Sequence, residues 1–288
     1  MQPGSEAKAH FRQQLVRAVQ DLPSMPALVM RILELTETAS VNAVEIEKLI
    51  LTDPALSAKI LRVVNSAYYG LERKVTSVQQ AIVILGFRHL RNLVLAVSAL
   101  SRFRNKSPHF REVQRRIWER AFGAATLSRE LCRVKGIRES EAEVAYVGAL
   151  LHDIGELFLF SSFTNIYTEL VKRAESLQIP TVQAERKALG LDHAEVGAEL
   201  IRQWNFPPPL AIVVSRHEGP FLDDGDTVAL CVHIASKLAG EFTSEPDRGQ
   251  IDPMARAWLA MDDAAIDTLV ECARPKVQEV ASNLGLAA

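Results

Sequence analysis

Apolar residues along this chain of 288 residues recur mainly at intervals of three and four positions, the spacing that places them on one face of a helix. Pro26 can open one such helix, in which Leu28, Ile32 and Leu35 share a face. No run of alternating apolar and polar residues is long enough to propose a sheet. The pattern therefore predicts an all-α fold.

Polar residues mark the starts of several of these helices. Asn42 with Glu45, and Asp192 with Glu195, have the spacing of a capping box, in which a side chain and a backbone N–H group bond reciprocally. Asp53-Pro54 both ends one helix and begins the next, because proline is favoured in the first helical turn. The next helix is expected to cover residues 54–69.

Glycine and proline mark the longer interruptions. Gly70 stops one helix, Gly86 separates a helix at residues 78–85 from a long apolar helix around residues 93–100, and Gly136 ends a helix that starts near Phe110. The segment Asn105-Lys106-Ser107-Pro108 is the best candidate for a connection between lobes. It predicts an N-terminal helical lobe at residues 1–106 and a second helical lobe at residues 107–288.

The composition supports a globular protein with a sizeable core, since 48% of the residues are hydrophobic and 24% are charged. No stretch approaches the roughly 18 uninterrupted apolar residues of a membrane span, and the first residues lack the pattern of a signal peptide. We therefore predict a cytoplasmic protein. Cys132, Cys231 and Cys272 are far apart and outside any CxxC motif, so buried apolar roles are expected rather than a disulfide or a zinc site.

The net charge of −2 conceals an uneven distribution. Residues 1–138 contain 22 Lys and Arg against 11 Asp and Glu, whereas residues 139–288 contain 11 against 24. This asymmetry fits a nucleic-acid face, a docking face for a partner, or two lobes that attract each other. Arg111, Arg115 and Arg116 belong to a basic stripe at residues 102–138. Because no exposed aromatics or known binding module accompany the stripe, a solvated or partner-facing surface is favoured over nucleic acid.

Two groups of motifs stand out along the chain. The first contains Leu22-Pro23-Ser24-Met25-Pro26, Leu51-Thr52-Asp53-Pro54-Ala55-Leu56, Val64-Asn65-Ser66-Ala67-Tyr68-Tyr69-Gly70 and Ala81-Ile82-Val83-Ile84-Leu85-Gly86, and the second contains Gly148-Ala149-Leu150-Leu151-His152-Asp153-Ile154-Gly155, Asp192-His193-Ala194-Glu195-Val196-Gly197 and Arg216-His217-Glu218. Together they resemble the HDOD domain family, an HD-related group of bacterial output domains, over roughly residues 15–285. The first group resembles the N-terminal lobe of these domains and the second resembles their HD-type lobe. The resemblance implies a multi-helix HD-like fold, with the first lobe packed on the second, and a regulatory role.

HD phosphohydrolases hold a divalent metal through a His, an adjacent His-Asp pair and a late Asp. By resemblance, His152 and Asp153 form the pair, and His193 and His217 match additional histidines of two-metal relatives. Arg120 stands where the first His is expected, and Ser236 stands where the late Asp is expected.

An arginine has no lone pair for a metal. We expect Arg120 to neutralise Asp153 through a charge-assisted hydrogen bond instead. His233, three residues before Ser236, could replace a missing ligand, although each of these histidines could equally be a structural, hydrogen-bonded residue.

The resemblance and the lost ligands together favour a non-catalytic signalling module, the output part of a response regulator. Its partners would be signalling proteins such as a receiver domain, a kinase or another regulator, and self-association stays open. Nucleic acid and membranes are not favoured. No cofactor is required, although the four remaining candidate ligands could hold a divalent metal weakly. The alternatives are a metal-dependent phosphohydrolase or cyclic-dinucleotide phosphodiesterase with an altered ligand set, and a regulator that binds nucleotides or nucleic acid.

Overall fold

The computed structural model describes residues 3–37, 43–65, 71, 73–103, 108–223, 225–243 and 250–283. All of the regular secondary structure in these ranges is helical, so the predicted all-α class is confirmed. The helices of the first part of the chain are α1 (Pro3–Gln20), α2 (Ala27–Glu37), α3 (Ala43–Leu51), α4 (Pro54–Val64) and α5 (Val78–Leu100).

The second part of the chain contains the longer helices and those that surround the candidate site. They are α6 (Pro108–Val134), α7 (Glu139–Leu151), α8 (Ile154–Ser162), α9 (Thr164–Leu177), α10 (Thr181–Ala188), α11 (His193–Gln203), α12 (Pro208–Arg216), α13 (Thr227–Ala239), α14 (Pro253–Leu259) and α15 (Asp263–Asn283). A short 3₁₀ turn, Gly240–Phe242, follows α13.

The helix starts follow the predicted caps. The Asp53 side chain accepts from the backbone N–H of Leu56 at 3.0 Å, and Pro54 occupies the first turn of α4. Asp192 and Glu195 form a complete capping box at the start of α11. These caps satisfy backbone N–H groups that have no partner within the helix. The predicted caps and stops at Asn42, Gly70 and residues 105–107 lie outside the described residues.

Gly86 bends α5 as expected. Its φ of 76° and ψ of 166° are not helical, and the two halves of α5 meet at an angle of 110°. A residue with a Cβ rarely adopts this positive φ, so glycine suits the position. The bend sends the second half of α5 back toward α7 and α8.

Helices α2 to α5 pack on one another, and a single continuous apolar core joins them to the helices that follow. In the second part, α6, α7 and α13 pack together, while α8 packs on α11 and α12 packs on α7, α11 and α13. Helix α1 packs on α11, and Phe11 lies 5.0 Å from Phe163 between ring centres. The boundary predicted at residues 106 and 107 falls on undescribed residues and stays a prediction.

Aromatic side chains connect the first and second parts of the chain. Phe103, three residues after the end of α5, lies 6.1 Å from both Phe158 and Trp204, measured between ring centres. Phe110 and Trp118 are buried as well.

Two of the three cysteines are buried as predicted, but the prediction for Cys272 is wrong. Cys132 and Cys231 lie in the core. The hydrogen bond with Cys132, together with burial, raises the pKa of the Cys231 thiol. Cys272 is exposed because it lies on the outward face of α15, whose apolar residues Val270 and Ala273 point inward.

The segment Glu139–Ser162 is by length and composition apolar enough to cross a membrane, and the bent α5 passes the same test as a pair. However, 89% of the apolar window in Glu139–Ser162 is buried inside the protein. Core helices of soluble proteins commonly have this composition, so the packing of α7 and α8 inside the protein explains the apolar composition of this segment.

Candidate functional site

The His152-Asp153 pair forms the junction between α7 and α8, in the interior of the protein. Gly155 allows this junction to approach α11 closely, since a Cβ on Gly155 would lie 2.0 Å from the backbone oxygen of His193. His152 donates from Nδ1 to the backbone oxygen of Ala149 at 2.6 Å, and its Nε2 lies 2.8 Å from Oδ2 of Asp153. His152 is therefore bonded to its own helix and to Asp153.

Arg120 enters the site from α6 and bonds to two acidic residues. Its Nε donates to Oδ2 of Asp153 at 2.5 Å, and its terminal nitrogen Nη2 donates to Glu156. The expected hydrogen bond between Arg120 and Asp153 is thus present in the structure. Burial alone would raise the pKa of Asp153, but the charge of Arg120, together with His152, holds it well below its usual range. Asp153 is therefore ionised beside a fixed cation.

Glu156 receives a second, weaker contact from α6. The guanidinium of Arg116 lies 3.9 Å from its Oε1. Side-chain exposure is 13% for Arg120, 3% for Asp153 and 7% for Glu156, so these charges interact with little screening by water. Together they fasten α6 to α8 at the centre of the site.

His193, the first residue of α11, is held by a carboxylate from α10. Oε2 of Glu185 lies 2.8 Å from Nδ1 of His193 and accepts its backbone N–H at 3.0 Å, while the Tyr167 hydroxyl donates to the other oxygen of Glu185. Burial would lower the pKa of His193, but Glu185 outweighs it and raises the pKa well above the ordinary value. Glu185 therefore favours the cationic form of His193, with a proton on both ring nitrogens.

His217, at the end of α12, completes the cluster. Its Nε2 lies 3.2 Å from Nε2 of His193, and its Nδ1 lies 2.7 Å from the backbone oxygen of Val214. In contrast to His193, burial lowers the pKa of His217. The pKa values of the two adjacent rings are thus shifted in opposite directions, and His217 can accept a hydrogen bond from the protonated His193.

Glu218 follows His217 in the chain and forms an ion pair with Lys237 of α13. Its Oε1 lies 3.6 Å from Nε2 of His193 and 3.4 Å from Nε2 of His217, while Nζ of Lys237 donates to Oε2 at 2.6 Å. Burial would raise the pKa of Glu218, but Lys237 and the two histidines hold it well below its usual range. The acidic residues of the site are thus matched by cations that the protein itself supplies.

The structure brings together three of the four predicted ligands. One ligand atom each from Asp153, His193 and His217 lies within 4.8 Å of the other two. Oδ1 of Asp153 is 3.6 Å from Nε2 of His193 and 3.8 Å from Nε2 of His217. His152 lies outside this group of three ligand atoms, although its ring centre is 5.0 Å from that of His217; its Nδ1 faces Ala149 and its Nε2 faces the other oxygen of Asp153.

Ser236 and the nearby His233 supply no replacement ligand. The Ser236 hydroxyl donates to the backbone oxygen of His233 at 2.8 Å. His233 contacts the oxygen of His217 through Nδ1 at 2.7 Å and accepts the N–H of Asp252 through Nε2 at 2.9 Å. Both ring nitrogens of His233 are therefore engaged elsewhere, and burial lowers its pKa to about 4.

A cavity of about 590 Å³ opens over this cluster. Asp153, His193 and Glu218 line its polar floor, together with Arg120 and Lys237. Apolar side chains from α9, from the start of α10 and from the segment between them also line it: Val171, Ala174, Ile179, Pro180 and Val182. The cavity is large enough for a small molecule.

The residues of the predicted basic surface have different environments. Arg111 is exposed. Arg115 forms ion pairs with Glu112 at 2.5 Å and Glu119 at 2.6 Å on its own helix. Arg116 lines the cavity described above. A continuous basic contact surface formed by these three arginines stays a prediction, and only Arg111 is clearly turned to solvent.

Sequence reasoning did not identify Tyr167, Glu185 or Lys237 as parts of the site. Each lies on a different helix, and each reaches the cluster only through the tertiary fold. No local spacing links Glu185 to His193 as a hydrogen-bonding partner. Glu218 directly follows His217 in the motif Arg216-His217-Glu218, and this position was a signal that could have identified it.

The model of the HDOD domain matches residues 22–220, which is more than half of the chain. The chain belongs to the HDOD domain family. An uncharacterized protein of Treponema pallidum (strain Nichols) is 26% identical over 199 residues, a stretch that covers 69% of this chain and 38% of that protein. This chain therefore matches well under half the length of that curated relative.

Solved structures share the fold at lower identity. An HDOD domain protein of Geobacter sulfurreducens is 20% identical, with a TM-score of 0.71, and the alignment covers 96% of this chain and 99% of the other. A protein of Shewanella amazonensis SB2B, proposed to be a phosphohydrolase, is 24% identical, with a TM-score of 0.74 and coverage of 94% and 97%. The likeness extends over nearly the whole of each chain and supports the HD-like fold.

The residues present do not fit the four-ligand metal centre of HD phosphohydrolases. Arg120 has no lone pair, and its charge lies directly on Asp153. Ser236 offers a hydroxyl, which already donates to a backbone oxygen, in place of the carboxylate of the late Asp. Arg120 thus neutralises the Asp153 carboxylate, which the resemblance assigns to the metal in HD phosphohydrolases.

Proposed function

We propose that this HDOD domain is a non-catalytic signalling module, which transmits a signal through contacts with other proteins. The observation that carries the proposal is the guanidinium of Arg120, bonded to both Asp153 and Glu156 at the place where an HD enzyme binds its metal. A divalent ion within a few ångströms of this guanidinium would be repelled by it. The site is thus suited to hold helices together rather than to activate water.

The position of the site supports a role in transmitting conformational change. Its ionic contacts connect α6 with α8, α10 with α11, and α13 with the end of α12. A displacement of any of these helices would alter buried ion pairs, whose partners are expensive to separate. We propose a signalling protein, such as a receiver domain or a kinase, as the partner that exploits this connection, and an output role in the cytoplasm.

A hydrolysis assay tests the catalytic part of the proposal. Purified protein is incubated with Mn²⁺, Mg²⁺ or Zn²⁺ and bis-(p-nitrophenyl) phosphate, and in parallel with cyclic dinucleotides. We expect rates equal to those of the Asp153→Asn variant, which lacks the central carboxylate charge. A metal-dependent rate that is present in the wild type and lost in Asp153→Asn would overturn the proposal.

One observation favours a second candidate, a metal-dependent phosphohydrolase with a reduced ligand set. Asp153, His193 and His217 converge within 4.8 Å, and a polar cavity lies above them. These three residues would hold the ion, and a bound divalent metal generally supplies a polarised water for attack on phosphorus. Hydrolysis abolished by His217→Ala but unchanged by His233→Ala would favour this candidate over the first.

A further inference from the structure

A second group of potential ligands lies at the contact between α5 and α7, on helices of the two predicted lobes. His89 follows the bend at Gly86, and Glu139 and Glu143 lie one turn apart at the start of α7. Oε1 of Glu143 is 3.4 Å from Nδ1 of His89, and Oε1 of Glu139 is 3.7 Å from Nε2. One ligand atom from each of the three residues lies within 4.8 Å of the other two.

We propose that His89, Glu139 and Glu143 form a binding site for one divalent transition-metal ion, with Zn²⁺ as the best-suited ion. Imidazole nitrogen combined with carboxylate oxygen is a ligand set that Zn²⁺ uses, whereas Mg²⁺ and Ca²⁺ prefer oxygen alone. The site is separate from the cluster around Asp153 and shares no residue with it.

The distance between Nδ1 of His89 and Glu143 suits a tetrahedral ion, whereas Glu139 contacts the other ring nitrogen. With metal–ligand bonds of about 2.0–2.1 Å, neighbouring ligand atoms of a tetrahedral site lie about 3.3 Å apart. The 3.4 Å between Nδ1 of His89 and Glu143 matches this separation. Glu139 has a side-chain exposure of 73%, so it can rotate toward Nδ1 without disturbing the core. Only this surface side chain has to move for the third bond to form.

The local charge also favours a cation. The Glu143 side chain is only 11% exposed, and among the described contacts its carboxylate faces His89. Two carboxylates thus flank one imidazole, and a divalent ion would compensate both. Two cations, Arg129 and Lys276, also line the neighbouring cavity, and Glu130 lies 3.5 Å from Lys276 and offsets its charge.

Solvent can reach this site. His89 lines a cavity of about 340 Å³, together with Leu85 from α5 and Thr126 and Arg129 from α6. The cavity gives room for the water molecule that completes the coordination of a three-ligand zinc site. Because the ligands come from α5 and α7, a bound ion would link the two lobes directly.

Isothermal titration of the whole chain with Zn²⁺, checked by elemental analysis after gel filtration, tests this inference. The variants are His89→Ala and the isosteric Glu143→Gln, and His10→Ala is the control because His10 is a surface histidine that contacts Gln14. The Asp153→Asn variant separates this site from the other cluster. Circular dichroism without metal verifies that each variant is folded.

We expect one equivalent of Zn²⁺ to bind the wild type, His10→Ala and Asp153→Asn. Its affinity should fall at least tenfold in both His89→Ala and Glu143→Gln. Bound Zn²⁺ should also raise the melting temperature of the wild type more than that of Glu143→Gln. Zn²⁺ binding that is unchanged in the two variants, or absent from the wild type, would overturn the inference. Loss in Asp153→Asn with retention in the two variants would assign the ion to the other cluster and likewise refute it.

Discussion

Replacing Arg120 with methionine should strongly destabilise the protein. Methionine keeps much of the side-chain volume but removes the guanidinium, which leaves Asp153 and Glu156 as buried carboxylates with their main cation gone. Removing one partner of a buried ion pair costs about 3–5 kcal/mol, because the remaining charge is no longer compensated. For a chain of this size, about 2 °C per kcal/mol converts this loss to a fall of roughly 6–10 °C in the melting temperature.

Differential scanning calorimetry of the purified variant measures this effect, with urea unfolding as a second assay. Arg115→Met is the matched control, since Arg115 lies on the same helix and pairs with two glutamates nearer the surface. These pairs are more exposed than those of Arg120, and pairs near the surface contribute about 0–1 kcal/mol each, so the control should lose much less stability than Arg120→Met. Adding Asp153→Asn and Glu156→Gln to Arg120→Met should restore much of the lost stability. Equal melting temperatures for Arg120→Met and Arg115→Met would refute the reasoning.

Three further predictions follow from the same contacts. Glu185→Gln should lower the pKa of His193, as followed by NMR of the ring protons; an unchanged titration would contradict the assigned pair. In the wild type, the raised pKa of His193 should stabilise the fold fully below about pH 6.5, which is the pKa of histidine in the unfolded chain. This stabilisation should be lost as the pH rises through the pKa of His193 in the folded protein, and urea unfolding at a series of pH values measures the loss. Gly155→Ala should cost roughly 1–3 kcal/mol or more through its clash with α11, whereas the exposed Gly225→Ala should cost much less; equal unfolding midpoints would refute this.

The fold could be predicted largely from local sequence signals. The caps at Asp53 and Asp192 and the bend at Gly86 act within a few residues, so the sequence near them is sufficient to specify them. The exposure of Cys272 could not be anticipated from its residue type, because cysteine is commonly buried and only the packing of α15 decides which face it occupies.

The candidate site was predictable only in part. The substitution by Arg120 and its bond to Asp153 followed from alignment with a known motif and from the charge of a guanidinium. The role of Glu185 did not, because its contact with His193 depends on how α10 packs beside α11. The ring nitrogens of His152 face Ala149 and the second oxygen of Asp153, and this ring orientation is not determined by motif spacing.

The arrangement of helices around the site indicates how its ion pairs would respond to a partner. Arg120, Glu185 and Lys237 each cross from one helix to another. A partner that displaced one of these helices would change the energy of buried charges rather than of exposed ones, and such charges respond strongly to small movements. Under the proposed function, a signal would pass through these ion pairs without a chemical step.

Anomalous diffraction from crystals grown with Mn²⁺ tests the central claim most directly, because it locates each bound ion. The account predicts no anomalous peak among Asp153, His193 and His217, and an Arg120 guanidinium within hydrogen-bonding distance of Asp153. A strong peak coordinated by Asp153, with Arg120 turned away from that carboxylate, would contradict it.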